Sequence, residues 1–326
     1  MPPYASWIST PRSNSDAASR SSTHARPRAA VFGMAVLATL TWACRVDDPT
    51  PKPAVDSRDT RIVSAPAPVP VESAPTTATT PPARARELGA QTLSLEQLTT
   101  LAEGGDADAQ LTLGAIYYEG EGVEKDHARA ATWVRRAADR GHPLAQATMA
   151  TLYSRGHGVP RDEAEAAAWL RRAAEQGLAT AQANLARLFL QGQGVAQDAA
   201  EGARWLQRAA DQDLPAAQSN LGLLYLRGEG VARDPLEASK WLRLAADAGV
   251  ADAQLRLGAL YEQGRGVERD PVAAWTWYEL AASQGQHPAA DRRDALAPSL
   301  TPGQIEAARA AVRAWKPRDV RAARTP

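Results

Sequence analysis

Five tryptophans, Trp133, Trp169, Trp205, Trp241 and Trp277, stand 36 residues apart without slippage. Gln110, Gln146, Gln182, Gln218 and Gln254 keep the same period, and so does a Gly-x-Gly-Val tetrapeptide beginning at Gly120, Gly156, Gly192, Gly228 and Gly264. A fixed period of this length marks stacked repeats, each too small to bury its apolar face alone. Such a chain folds as a quasi-one-dimensional stack in which each unit touches only its neighbours. The question of function therefore moves from a closed pocket to an extended surface.

Residues 141–176 show the grammar of one unit. His142 and Pro143 lead into Ala145, Met149, Leu152 and Tyr153, an apolar stripe at helical spacing. Gly156 and Gly158 end that helix by supplying the positive φ a tight turn needs. Asp162 then caps a second helix, with Glu165 three positions on to complete a capping box. Ala166, Trp169, Leu170 and Ala173 form its buried stripe, and Gly177 closes it. Asp198 with Glu201 and Asp234 with Glu237 repeat the box, while Asp213 replaces the closing glycine of one unit.

Counting from Gly105, five hairpins run 105–140, 141–176, 177–212, 213–248 and 249–284. Residues 87–104 form an N-terminal capping helix whose start is Ser94-Leu95-Glu96-Gln97. Residues 285–316 form a partial sixth repeat and a terminal helix from Thr301 through about Trp315, with Ile305, Ala308, Val312 and Trp315 covering the last open edge. Residues 317–326 are a disordered tail. The fold class is all-α, a right-handed superhelical α-solenoid of helix-turn-helix repeats.

The pattern Ala-Gln-x-x-Leu-Gly-x-x-Tyr, then Gly-x-Gly-Val, then Asp, Ala, Trp and an Ala-Ala pair resembles the Sel-one-like repeat, a relative of the tetratricopeptide repeat. The clearest copy runs from Ala217-Gln218 through Leu221-Gly222 to Tyr225. Ala150 and Ala186 replace the small glycine of the first helix, and Phe189 replaces the tyrosine. The resemblance covers residue 105 to about 284, and implies that the first helices line the concave side of a protein-binding solenoid. Family members that carry a disulfide in each repeat have been linked to β-lactam binding; no cysteine stands in these repeats, so that property is not implied here.

The N-terminal 86 residues have a different character. Arg12, Arg20, Arg26 and Arg28 precede 16 uncharged residues, Ala29 to Cys44. A basic stretch before a short apolar segment reads as an export signal, and the segment falls below the roughly 20 residues of a comfortable membrane span. Thr39-Leu40-Thr41-Trp42-Ala43-Cys44 resembles a bacterial lipobox, with Cys44 as the lipidation site, although Thr41 stands where the pattern carries an aliphatic residue. Residues 1–44 are therefore an export signal or an N-terminal membrane anchor; a disordered tail with a chance apolar run is the plain alternative. Residues 45–86, rich in Pro, Ala and Thr, bury too little to order and form a disordered linker. This places the repeats in the periplasm, with membrane contact only through the N-terminal segment.

Composition narrows the function. A formal net charge of +0 argues against a nucleic-acid partner. One cysteine and five scattered histidines offer no metal-ligand spacing, and no nucleophile–base set assembles, so neither cofactor, metal nor catalytic site is expected. The Gly-x-Gly turns lack the preceding strand of a phosphate loop. Each tryptophan shares its helical face with alanines and an aliphatic residue, which makes the ladder structural core rather than a stacking platform.

The positions that vary between copies are more informative. At spacings of 4, 3 and 4 the first helices carry Thr148, Thr151 and Arg155, then Asn184, Arg187 and Gln191, then Asn220 and Arg227, then Arg256 and Gln263. This stripe is the candidate face for another protein or peptide, or else a solvated surface. The expected protein is a monomeric, non-enzymatic interaction scaffold or regulatory adaptor of the bacterial envelope. A cell-wall binding protein or hydrolase is the alternative.

Overall fold

The computed structural model describes residues 93–319. Cys44, the export segment 1–44, the linker 45–86, the first part of the capping segment and residues 320–326 lie outside the described residues. Thirteen α-helices follow one another there with no strand: α1 (Leu95–Glu103), α2 (Ala107–Glu119), α3 (His127–Asp139), α4 (Pro143–Arg155), α5 (Glu163–Glu175), α6 (Ala179–Gln191), α7 (Ala199–Ala210), α8 (Pro215–Arg227), α9 (Pro235–Asp247), α10 (Ala251–Gln263), α11 (Pro271–Ser283), α12 (His287–Leu296) and α13 (Pro302–Ala314). A short 3-10 turn, Ala297–Ser299, joins the last two. Each helix up to α12 packs on the one before it, and α13 packs back on α11. The result is an all-α solenoid of five hairpins, α2–α3 to α10–α11, between a leading and a trailing cap.

The turns are built the same way each time. Gly120, Gly156, Gly192, Gly228 and Gly264 cap the first helices in the left-handed region, with φ between 66° and 79°. The second glycine of the turn serves packing between hairpins. A Cβ on Gly158, Gly194, Gly230 or Gly266 would lie 1.9–2.0 Å from the carbonyl oxygen of His127, Glu163, Ala199 or Pro235, at the start of the previous hairpin's second helix. No side chain fits there.

The expected capping boxes form only at the two ends of the solenoid. Ser94 with Gln97 and Thr301 with Gln304 exchange both bonds. In the repeats, Asp126, Asp162, Asp198, Asp234 and Asp270 cap their helices through the carboxylate, but Glu165, Glu201 and Glu237 do not return the bond. The reason is that the capping residue's own N–H is already taken. It donates to the carbonyl of Tyr117, Tyr153, Phe189, Tyr225 or Tyr261 in the preceding helix, at 2.9–3.0 Å. Glu201 and Glu237 turn instead to Arg204 and Lys240.

The tryptophans fill the space between helices. Trp169, Trp205 and Trp277 are buried, while Trp133 and Trp241 are half-buried. The guanidinium groups of Arg136, Arg172 and Arg208, three residues on, lie 4.3–4.4 Å from the ring centroids of Trp133, Trp169 and Trp205. A second series crosses between hairpins: Arg135, Arg171 and Arg243 stand over Tyr153, Phe189 and Tyr261 at 5.4–5.5 Å.

The glutamines form a polar spine. Gln110, Gln146, Gln182, Gln218 and Gln254 donate their side-chain amides to the carbonyls of Ala102, Ala138, Ala174, Ala210 and Ala246 at 2.9–3.2 Å. In three hairpins a further glutamine satisfies the remaining oxygen: Gln176 donates to Gln146 and Gln212 to Gln182 at 2.7 Å, and Gln284 to Gln254 at 2.8 Å. Arg140 and Ala248 occupy that position in the other two. The amide oxygens of Gln110 and Gln218 are accordingly buried without a partner among the described residues.

The C-terminal cap departs from expectation at one residue. Ile305 and Ala308 of α13 join the apolar cluster built on α11, but the helix ends at Ala314 and Trp315 is extended, with φ −67° and ψ 139°. Pro317 disfavours a helical Lys316 before it. Val312 and Trp315 pack instead on the cluster formed by α9, α10 and α11.

The polar spine makes a direct prediction. Gln182→Leu removes one donor from the Ala174 carbonyl, which keeps the Gly177 N–H, and takes away the oxygen to which Gln212 donates; it is expected to cost about 1–3 kcal/mol. Gln110→Leu removes one bond together with an oxygen that already lacks a partner, and is expected to cost about half as much. Urea midpoints of the two variants check this; equal losses would contradict the unequal bonding.

Candidate functional site

The first-helix stripe is a surface with one buried member. Thr148 is 6% exposed and donates its hydroxyl to the Leu144 carbonyl, so it belongs to the hairpin interior and not to the face. Thr151, Asn184, Arg187, Asn220 and Arg256 are half-buried, and Arg155, Gln191, Arg227 and Gln263 are exposed.

The structure gathers part of this stripe into one place. A cleft of about 260 Å³ opens between α4 and α6 over α5, and Thr151, Arg155, Asn184 and Arg187 line it. Arg187 donates to the side-chain oxygens of Gln191 and Gln193 at 2.6 and 2.7 Å, which fixes its guanidinium at the rim. Arg155 makes no hydrogen bond or ion pair with another described residue. Asn220, Arg227, Arg256 and Gln263 lie outside this cleft. Arg227 stands 3.9 Å from Glu229, and Arg256 is tied to Asp252 at 2.7 Å on its own helix.

Three further lining residues, Arg161, Glu163 and Gln193, lie off the stripe. Arg161 pairs with Glu163 at 2.7 Å. Gln193 occupies the variable position of the Gly-x-Gly turn, where the five units carry Glu121, His157, Gln193, Glu229 and Arg265. That variation within an otherwise fixed tetrapeptide was a legible signal, but a search confined to helix faces passes over it. The cleft holds three arginines against one carboxylate, with Ala150, Ala166, Leu170 and Leu188 among its lining, and no nucleophile placed beside a base. Its chemistry is that of recognition by cationic and apolar groups together.

The same turn position builds a second feature beside the cleft. His157 stacks on His127 at 4.9 Å between ring centroids, His127 stacks on Tyr118 at 4.8 Å, and the Tyr118 hydroxyl lies 2.8 Å from His157 Nδ1. Burial, followed by the charges of His127, Arg155 and Lys125, holds the His157 imidazole below its ordinary range.

With this geometry in view, the comparisons with known proteins are decisive about family. The Sel1 repeat model matches five consecutive segments, 107–142, 143–178, 179–214, 215–250 and 251–286. The chain belongs to the Sel1 repeat family. Similar solved structures include c5321, a protective antigen of uropathogenic Escherichia coli displaying an SLR fold, at 39% identity and a TM-score of 0.60, covering 61% of this chain and 42% of that one. A Sel1 repeat protein from Oxalobacter formigenes is 38% identical with a TM-score of 0.57, covering 62% of this chain and 59% of the other. Over 45 residues the chain is 49% identical to the secretory immunoglobulin A-binding protein EsiB of E. coli O6:H1, which is 14% of this chain and 9% of that protein. The chain thus spans less than two thirds of each of these relatives. Sel1 repeat proteins generally mediate protein–protein interactions, and the family is generally non-catalytic.

The histidine stack predicts a pH dependence. The folded chain binds the His157 proton less readily than the unfolded chain, whose imidazole titrates near 6.5. Stability is therefore full above that value and is lost as the pH falls below it toward the lowered folded value. Denaturation midpoints should drop from about pH 7 to about pH 5, and His157→Gln, the residue of the next turn, should flatten the drop. An unchanged slope would assign the effect elsewhere.

Proposed function

We propose that the chain is a non-catalytic scaffold or regulatory adaptor of the bacterial envelope that receives a partner protein segment along its concave first-helix face. The observation that carries this reading is the cleft between α4 and α6, where Thr151, Arg155, Asn184 and Arg187 converge from two successive hairpins. The residues that specify the fold repeat from unit to unit, whereas the stripe residues Thr151, Arg155, Asn184 and Arg187 vary, as a surface shaped for one partner requires. The relative named for binding secretory immunoglobulin A supports protein recognition as the use of such a solenoid.

The N-terminal 86 residues supply the location. The basic stretch, the short apolar run and Cys44 fit an exported lipoprotein whose linker, residues 45–86, holds the repeats away from the membrane. The face binds a protein or peptide rather than nucleic acid, and the chain acts as a monomer without a cofactor.

Two experiments test these statements. The immobilised full chain, exposed to envelope extract, should retain a defined protein, and the combined change Arg155→Glu/Arg187→Glu should reduce that retention by about tenfold or more. Retention of muropeptides alone would move the chain to the cell-wall class. Metabolic labelling with a palmitate analogue should mark the wild-type chain and not Cys44→Ala; equal labelling would exclude Cys44 as the lipid site.

A further inference from the structure

The repeats provide an internal reference against which each departure can be read. Three departures meet along one edge of the fourth hairpin, between its first residue and the start of the fifth. Asp213 stands where Gly105, Gly141, Gly177, Gly249 and Gly285 close the other helices, and it is the one non-glycine residue at positive φ among the described residues, at 58°. Ala248 stands where Gln176, Gln212 and Gln284 complete the polar spine, which leaves the Gln218 oxygen without a partner. The positive φ is unfavourable for a non-glycine residue and the orphaned oxygen is a lost bond, although the Asp213 carboxylate also accepts from the Gln218 amide at 3.3 Å. The C-terminal segment also departs from a simple cap, because it leaves α13 and runs back to this edge.

Its contacts account for the other two departures. The Trp315 ring and Pro317 lie 3.7 and 3.8 Å from where a Cβ on Gly249 would be, ordinary packing distances. The Arg318 N–H donates to the Asp247 carbonyl at 2.6 Å, and its guanidinium reaches the Asp213 carboxylate at 3.3 Å. Alanine at 248 is the small residue next to Gly249, on which the ring packs, and aspartate at 213 gives the guanidinium a carboxylate partner. Gly141 and Gly177, the corresponding positions upstream, have nothing within 4 Å of a Cβ. The edge is therefore bare at those two units and occupied where the repeat has been altered.

We propose that this edge is a binding site for an extended Trp-x-Pro-Arg segment, and that residues 315–318 of the chain itself are its resident occupant. The aromatic ring provides apolar contact, the proline holds the strand extended at low entropic cost, and the arginine is read by a carboxylate and a backbone carbonyl. Attachment in cis gives the tail a high effective concentration, so a free segment of the same chemistry competes only when the tail is disabled. The site is separate from the first-helix cleft and does not depend on it.

The test uses a fluorescent peptide of sequence Val-Arg-Ala-Trp-Lys-Pro-Arg-Asp, copied from residues 312–319. It should bind the full chain carrying Trp315→Ala and Arg318→Ala, and bind the wild type at least about tenfold more weakly. Adding Asp213→Gly or Ala248→Gln to the double variant should abolish binding. Both changes restore the residue of other units, so an unchanged or raised thermal midpoint will show that the fold is intact. Equal binding to wild type and double variant, no binding to either, or binding insensitive to Asp213 and Ala248 would overturn the site. A wild-type dimer that Trp315→Ala dissociates would place the occupant on a second copy and overturn the assignment in cis.

Discussion

The last turn of any α-helix leaves carbonyl groups with no partner inside the helix, and a stack of hairpins buries one such end at every junction. In this chain the closing residue's N–H and a glutamine at the fourth position of the following helix share the task, with Gln110, Gln146, Gln182, Gln218 and Gln254 each donating to the alanine carbonyl eight residues earlier. Apolar packing between the alanine-rich faces is non-directional and tolerates sliding. A buried amide aimed at one carbonyl does not, because a slip of one residue would take that amide off its acceptor in a dry interface. The register of the solenoid therefore rests on a polar bond held within an apolar junction, and the aromatic ladder follows that register. The indole N–H groups of Trp169, Trp205 and Trp241 have no partner among the described residues, so these tryptophans act through volume and ring face rather than through hydrogen bonding.

Much of this was legible because it repeats. The period places the helices, the glycines at positive φ and the aspartate caps without reference to tertiary structure. What was not legible depends on partners distant in sequence or on neighbouring units. Glu165, Glu201 and Glu237 sit at the spacing of a capping box, yet the bond they would make is taken by an aromatic residue's carbonyl in the preceding helix. Thr148 shares the spacing of the exposed stripe but lies where α4 meets its neighbours, and helical periodicity alone does not locate the edge of a buried face. Arg161 and Gln193 reach the cleft from a turn, where no period predicts direction. Trp315 fits the apolar face of α13 by spacing, and the proline two residues later removes it from the helix.

The departures from the repeat carry the molecule's individuality. A residue that every unit shares answers to the stack, while one that differs answers to something local. His157 in its turn forms the stack with His127 and Tyr118, Gln193 braces Arg187 at the cleft, and Asp213 meets Arg318. Some of these are exchanges between facing positions. Ala186 carries a Cβ where Gly222 and Gly258 have none, Leu242 and Tyr278 filling that space in their hairpins, and Gly202 opposite Ala186 is the smaller residue, since a Cβ on it would lie 3.0 Å from the Ala186 carbonyl. A substitution that looks like decay of the repeat is, at that position, a conserved sum of volume across a helix pair.

A stack in which each unit touches only its neighbours is least secure at its ends, since a terminal hairpin has half the interface of a central one. The two ends of this chain are treated differently. At the N-terminal end α1 is shorter than the helices of the repeats, Arg140 leaves the Gln110 oxygen unpaired, and a Cβ on Gly122 would meet nothing within 4 Å. At the C-terminal end the segment after α13 returns across the fifth hairpin to the fourth, joining Arg318 to Asp213 over 105 residues of sequence. That contact closes a long loop in a fold otherwise made of local ones, and the entropic cost of closure rises only slowly with length. It ties the terminal cap to both the fourth and the fifth hairpin, while the N-terminal hairpin keeps the coupling of a simple stack and should be the first to fray.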